Sequence, residues 1–152
     1  MSTIPLKQHI KQHCLTVLSE KINAIQSSLE SVNEAANNET KSTAGDKHET
    51  GRAMMQLEQE KLSKQLNELF QLQSDLEKIS LDNPEKKIKK GCLIETDKGW
   101  FFIGIGLGKL LVDQQTVFAI SEQSPIGKIL LQIGSSSSFE FNGAKFILKS
   151  IH

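Results

Sequence analysis

The sequence predicts an α+β fold, a helical hairpin followed by a small β-rich domain, on three observations. Apolar residues in the first half recur every three or four positions in two blocks, the seam spacing of a coiled coil. A polar, glycine-containing stretch separates the blocks. From Gly91 onward the apolar period shortens to that of strands, and Asp97-Lys-Gly99 and Asn142-Gly143 supply hairpin turns.

The first block is Leu15, Leu18, Ile22, Ile25, Leu29 and Val32, and Ile10 and Cys14 extend it by a turn. Residues 33–45 are polar. The second block is Met55, Leu62, Leu66, Leu69 and Leu76, thickened by Phe70, Leu72 and Ile79. Two stripes joined by a short polar stretch predict an antiparallel hairpin. Each helix should have about 30 residues and a length of about 45 Å. Pairing of two such hairpins into a four-helix dimer is an alternative use of the same stripes. The second helix should end before Pro84, at Leu81-Asp-Asn83. The chain thus divides into an antiparallel coiled-coil arm over 1–82 with its tip near 43–50, a basic linker over 83–90, and an α+β domain over 91–152.

The linker carries Lys86-Lys-Ile-Lys-Lys90. Such a run can meet phosphate or an acidic surface, but is more often a solvated segment, and is read here as a linker. Beyond it, Cys92-Leu-Ile-Glu-Thr96 and Trp100-Phe-Phe-Ile103 flank the first turn. Leu110-Leu-Val112 and Thr116-Val-Phe-Ala-Ile120 are strands around Asp113-Gln-Gln115. Ser124-Pro125 reads as N-cap and first-turn proline of a short helix, Ile126 to Gln132, closed by Gly134. Phe139-Glu-Phe141 and Lys145-Phe-Ile-Leu-Lys149 form the last hairpin. Five or six strands with one short helix make a small α+β domain.

Composition narrows the function. The 152 residues are 38% hydrophobic and 24% charged, with 5% aromatics and no Tyr, which suits a folded protein with much wet surface and an aliphatic core. The net charge is zero, but residues 1–84 carry nine basic and twelve acidic side chains, and residues 85–152 carry nine and six. A neutral total argues against a free-standing nucleic-acid binder, whose footprint is usually a strong basic excess, and no sequence-specific DNA binding is expected. Cys14 and Cys92 lie in different halves without metal-type spacing, so reduced thiols in a cytoplasmic protein are the simpler expectation and a structural disulfide the alternative. The N-terminus lacks the pattern of a signal peptide, and no run approaches a membrane span of roughly 18 apolar residues. A soluble, cytoplasmic protein is expected.

Residues with chemical potential are few. No Ser/His/Asp set, Walker A loop or paired-cysteine motif can be read. Gly104-x-Gly106-x-Gly108 precedes a strand rather than a helix, so it is expected to form turns rather than cradle phosphate. His9 and His13 are spaced for one helix face, but two donors without a third are expected to be exposed helix residues. The informative pair is Asp46 and Glu49, at i and i+3 just after Gly45, where both carboxylates share one face at the tip. Local rules make them an N-cap and N3 acid of the second helix. The same placement also lets two carboxylates share a Mg²⁺ whose sphere is completed by water and phosphate oxygens. His48 between them is expected to be an exposed bystander.

Val117-Phe-Ala-Ile-Ser-Glu-Gln-Ser-Pro-Ile-Gly-Lys-Ile-Leu-Leu131 resembles the signature of the C-terminal domain of bacterial Gre transcript cleavage factors. The closing Lys145-Phe-Ile-Leu-Lys-Ser-Ile151 is similar to that family's last strand. The resemblance covers about the last 35 residues well and the earlier strands loosely. Gly45-Asp46-Lys47-His48-Glu49-Thr50 is similar to the family's coiled-coil tip, Gly-Asp-x-x-Glu-Asn. The resemblance implies an FKBP-like C-terminal domain that docks on RNA polymerase, with Ser124, Pro125, Ile126 and Gly127 as its contact element. It further implies an arm that enters the polymerase secondary channel, where Asp46 and Glu49 position a second Mg²⁺ and its water at the partner's active site. The polymerase then cuts its own backtracked RNA near the 3′ end, so the chain would be a transcription elongation factor and not itself an enzyme. A prolyl isomerase activity does not follow from such a fold. Two departures bear on the cleavage step: Thr50-Gly-Arg-Ala53 replaces the family's Asn-Ala-Glu-Tyr, and Ser135-Ser-Ser-Ser138 replaces its Gly-Asp. The rival functions are a polymerase-binding regulator of the same fold that inhibits or modulates without stimulating cleavage, and a coiled-coil adaptor whose acids only cap a helix.

Overall fold

A computed structural model of the protein describes the backbone of residues 4–40, 45–134 and 136–152, and the side chains of 5–38, 50–134 and 136–152. Its elements run α1 (Ile4–Thr40), α2 (Gly45–Lys78), β1 (Leu93–Thr96), β2 (Gly99–Gly104), β3 (Gly108–Val112), β4 (Gln115–Ser121), α3 (Pro125–Gln132), β5 (Ser138–Phe141) and β6 (Ala144–Ile151). The α+β class is therefore the expected one, with two long helices and six strands. The chain forms two units, Thr16–Ser74 and the combination of Met1–Leu15 with Asp75–His152, so their division falls inside both long helices.

Within Thr16–Ser74 the helices pair antiparallel. Asn33, late in α1, accepts a 2.6 Å hydrogen bond from Gln59 in α2. Earlier in α1, Ala24 and Ile25 share a groove with Leu69 and Leu72, later in α2. Leu18, Ile22 and Leu62 are buried on this seam, while Ile25, Leu29, Val32, Leu66, Leu69 and Leu72 are half-covered. A two-helix layer has only one stripe to bury, which is why Phe70, expected on the seam, stays 41% exposed.

The second unit is built on a sheet of order β3-β4-β2-β1-β6-β5. β2 and β4 run parallel, and every other neighbouring pair is antiparallel. Strand alternation gives the sheet two apolar faces. On one, Cys92, Ile94, Phe101, Ile103, Ile120 and Phe139 cluster with Leu130, and Ile126 and Ile129 of α3 pack against them. Phe101 sits at its centre, with the Phe118, Phe139 and Phe146 rings 5.1, 6.0 and 5.5 Å away. On the other face Leu93, Phe102, Val117 and Ala119 are at most 1% exposed. Ile79 packs there, since a methyl group at Gly104 would meet Phe102 and the Ile79 side chain.

The turns explain the strand registers. Asn142 and Gly143 both have positive φ, 51° and 78°, as the expected two-residue hairpin turn requires. Asp113 and Gln114 make the same kind of turn at φ 50° and 64° without a glycine. Asp97 ties the β1–β2 turn to β6: its carboxylate accepts from the Ile147 amide at 2.8 Å. That bond, ahead of its Lys98 partner, holds the Asp97 carboxyl below the usual range.

One boundary differs from expectation. α2 ends at Lys78, not at residues 81–83. The last turn is given up because Ile79 must bury, and because a Cβ at Gly91 would lie 2.1 Å from the Ser80 carbonyl oxygen, so strand entry and helix exit touch there. Gly91 itself has φ 93°, a conformation glycine adopts without strain.

Candidate functional site

α2 opens at Gly45, so Asp46 is its second residue and Glu49 its fifth, and neither takes the N-cap and N3 places expected from local rules. A helix start is nonetheless the backbone setting in which acids are favoured, beside its unsatisfied amides. The side chains of Asp46, His48 and Glu49 lie outside the described residues, so the expected carboxylate pair is located by its helix register alone. Gly51 is half-buried and fully helical, two residues beyond Glu49.

The Ser124-Pro-Ile-Gly127 element forms as expected. Ser124 is extended at φ −67°, ψ 156°, and Pro125 starts α3. The Ser124 hydroxyl accepts from the Gly127 amide at 3.0 Å and donates to the Ser121 carbonyl at 2.7 Å, so it closes the helix start and the preceding turn together. Gly127 is buried, and a Cβ there would stand 2.0 Å from the Ser121 oxygen. Ser124 and Gly127 are thus explained by local folding. Pro125 is exposed, whereas Ile126 leans on the core. Of the four residues assigned to partner binding, Pro125 offers the most free surface.

A second constellation has no signal in the sequence. Lys7 is 4% exposed and its ammonium donates to the Leu81 carbonyl. Lys11 donates to the carbonyls of Glu77 and Ile79 at 3.2 and 2.9 Å. Lys7 and Lys11 of α1 therefore serve carbonyls at and just beyond the end of α2, where a helix leaves acceptors open and favours cations. Burial pushes the Lys7 ammonium below the usual lysine range. His9 meets Asp113 of the β3–β4 turn at 2.5 Å, so it is a tether rather than half of a metal pair with His13.

The structure also assembles Glu95, Ser150 and His152. The Ser150 hydroxyl donates to Glu95 at 3.1 Å and lies 2.8 Å from His152 Nε2, whose ring is 6.0 Å from Trp100. With its single proton directed to Glu95, Ser150 must accept from the His152 ring. That imidazole nitrogen then cannot serve as its base, and the polarity of a nucleophile relay is reversed. Burial, ahead of the opposing Glu95 charge, lowers the His152 pKa. Cys14 and Cys92 are both buried free thiols, and desolvation pushes Cys14 to about 11 and raises Cys92 as well.

Among the described residues no three His, Cys, Asp or Glu side chains are grouped to hold a metal, and Asp46, His48 and Glu49 stand outside that set. Nor is any described helix long and apolar enough to cross a membrane. No family model matches this chain, and neither a curated protein nor a solved structure does.

Proposed function

We propose that the chain is a Gre-type transcription elongation factor that binds RNA polymerase in the cytoplasm and stimulates cleavage of backtracked RNA. The observation that carries this is the order of two elements along one chain. Gly45-Asp46-x-x-Glu49 opens the second helix of an antiparallel pair, and the Ser124–Gly127 turn opens the one short helix of a six-stranded α+β unit. On this reading the β-rich unit is FKBP-like and docks on the polymerase through the exposed side of that turn. The α1–α2 tip enters the secondary channel and approaches the RNA 3′ end, with no membrane partner and no reading of DNA sequence.

Asp46 and Glu49 would hold Mg²⁺ jointly with oxygen ligands of the polymerase, a fit that follows from two carboxylates on one helix face. The ion supplies a polarised water and charge neutralisation for phosphodiester hydrolysis. The chain's own contribution is to place the two carboxylates: their i and i+3 spacing in α2 sets them on one helix face, and the antiparallel helix pair sets their reach. The phosphodiester bond is cut by the polymerase, so the chain is an accessory factor and not an enzyme.

The second reading, a regulator that occupies the channel without stimulating cleavage, draws on Gly51. A glycine in the second turn of α2 costs about 1 kcal/mol of helix stability relative to Ala and loosens the segment that must hold the acids. Crosslinking separates these from a polymerase-free adaptor. A photoreactive residue at Lys47 should attach to the catalytic region of core polymerase in stalled complexes. Attachment only at the outer surface, or no complex at all, would overturn the channel reading.

A further inference from the structure

The basic run of the linker is exposed at its four lysines but is locally ordered. Asn83 clasps it from both sides: its side-chain amide donates to the Lys87 carbonyl at 2.7 Å and its oxygen accepts from the Lys87 amide at 3.0 Å. The Lys86 amide donates to the Asn83 carbonyl at 3.1 Å. This closed loop holds Lys86 at φ 54°, a left-handed conformation that a side-chain-bearing residue adopts at a cost of about 1 kcal/mol. Glycine would be cheaper there, yet the position carries a lysine, and strained positions of this kind concentrate at binding sites.

Lys86 borders a concave surface of about 380 Å³ whose other walls come from Gly134, Ser136 and the C-terminal end of the chain from Leu148 on. Ser136, Lys149, Ser150 and His152 supply its polar lining. Lys87 is paired with Glu85 at 2.6 Å, but among the described residues neither Lys86 nor Lys149 is paired with a carboxylate. The lining itself contains no acid. Glu95, outside the lining, accepts from the Ser150 hydroxyl at 3.1 Å. The Lys86 charge reaches His152 and lowers its pKa, behind burial and against the larger opposing effect of Glu95.

We propose that this concavity binds a phosphate group, with Lys86 and Lys149 as its cations and the Ser136 hydroxyl as a donor. Unpaired ammonium groups beside hydroxyls suit a tetrahedral oxyanion, and Lys binds phosphate as a point charge without needing a planar fork. The volume lies at the small end for a ligand site, enough for a mononucleotide or for one phosphate of an RNA strand. The proposal does not depend on the polymerase reading, since it rests on the β-rich unit alone.

The test is calorimetric titration of the full chain at low salt with inorganic phosphate, a nucleoside monophosphate, the phosphate-free nucleoside, and a single-stranded RNA of about ten nucleotides. Lys86→Gly suits the left-handed loop, so it removes the charge without straining the fold. Lys149→Gln is the second variant, and Lys128→Gln on exposed α3 the control. Saturable binding of a phosphate-bearing probe is expected, weakened about tenfold by Lys86→Gly and by Lys149→Gln, as expected for losing one charge-assisted contact. It should persist in Lys128→Gln and be absent for the nucleoside. Saturation by the mononucleotide identifies a free nucleotide as the source, and binding of the RNA alone identifies a strand. The proposal is overturned if no phosphate probe binds, if Lys86→Gly and Lys149→Gln bind as wild type, or if Lys128→Gln weakens binding equally.

Discussion

At Gly127 a methyl group would stand 2.0 Å from the Ser121 carbonyl oxygen, and that oxygen already takes the Ser124 hydroxyl. Gly127→Ala should therefore cost on the order of 3 kcal/mol, read as a lower urea midpoint. Ser124→Ala should cost about 1 kcal/mol, the usual value of an N-cap. Neither loss would speak to partner binding, so the docking role is tested at Pro125. Pro125→Ala should leave the urea midpoint within about 0.5 kcal/mol, as surface changes do, while weakening polymerase binding. This turn was legible in the sequence because its contacts stay within seven residues, Ser121 to Gly127. The Lys7, Lys11 and His9 contacts were not, because their partners lie 66 to 104 positions away and any exposed helix could carry such residues. Burial of the thiols adds a pH signature. Cys14 keeps its proton to about 11, whereas an unfolded thiol loses it near 9.0. Between those values the unfolded state binds fewer protons, so stability falls as pH rises, by at most ~1.4 kcal/mol per pH unit for this group. Urea melts across pH 8 to 11 should show that decline, and Cys14→Ala should flatten it.

Among the elements, α2 shows how a helix end is decided by what it meets. Its seam pattern and Pro84 pointed to residues 81–83, but Ile79 turns inward and two lysines of α1 take the freed carbonyls. Lys11→Met keeps the aliphatic stem and removes the donor. It should cost about 1 kcal/mol and speed amide exchange over residues 76–81. The β3–β4 turn offers the opposite case. Gln114 holds φ 64° without being glycine, so Gln114→Gly should raise the urea midpoint by an equivalent of about 1 kcal/mol. The Asn142-Gly143 turn needs no such relief and was read directly from its dipeptide. The strand pairs at both turns were legible from period two. The parallel β2–β4 pairing was not, since it joins strands with β3 between them in sequence and leaves no local mark.

For the molecule as a whole, the first 84 residues are acidic by three charges and the remainder basic by three, so a neutral total hides two stretches of opposite sign. The α+β class was readable because each half keeps its own period throughout. The metal role proposed for the tip does not follow from local rules, since an acid at a helix start needs no ligand to explain it. Only the pairing of that tip with the distant Ser124–Gly127 turn gives it a functional meaning. The most direct measurement is release of short 3′ RNA fragments from stalled, backtracked elongation complexes on adding the chain. Wild type should release them in a Mg²⁺-dependent way, and Asp46→Asn should abolish release while polymerase binding survives. Equal release with Asp46→Asn, or tight binding of wild type without any release, would contradict the account.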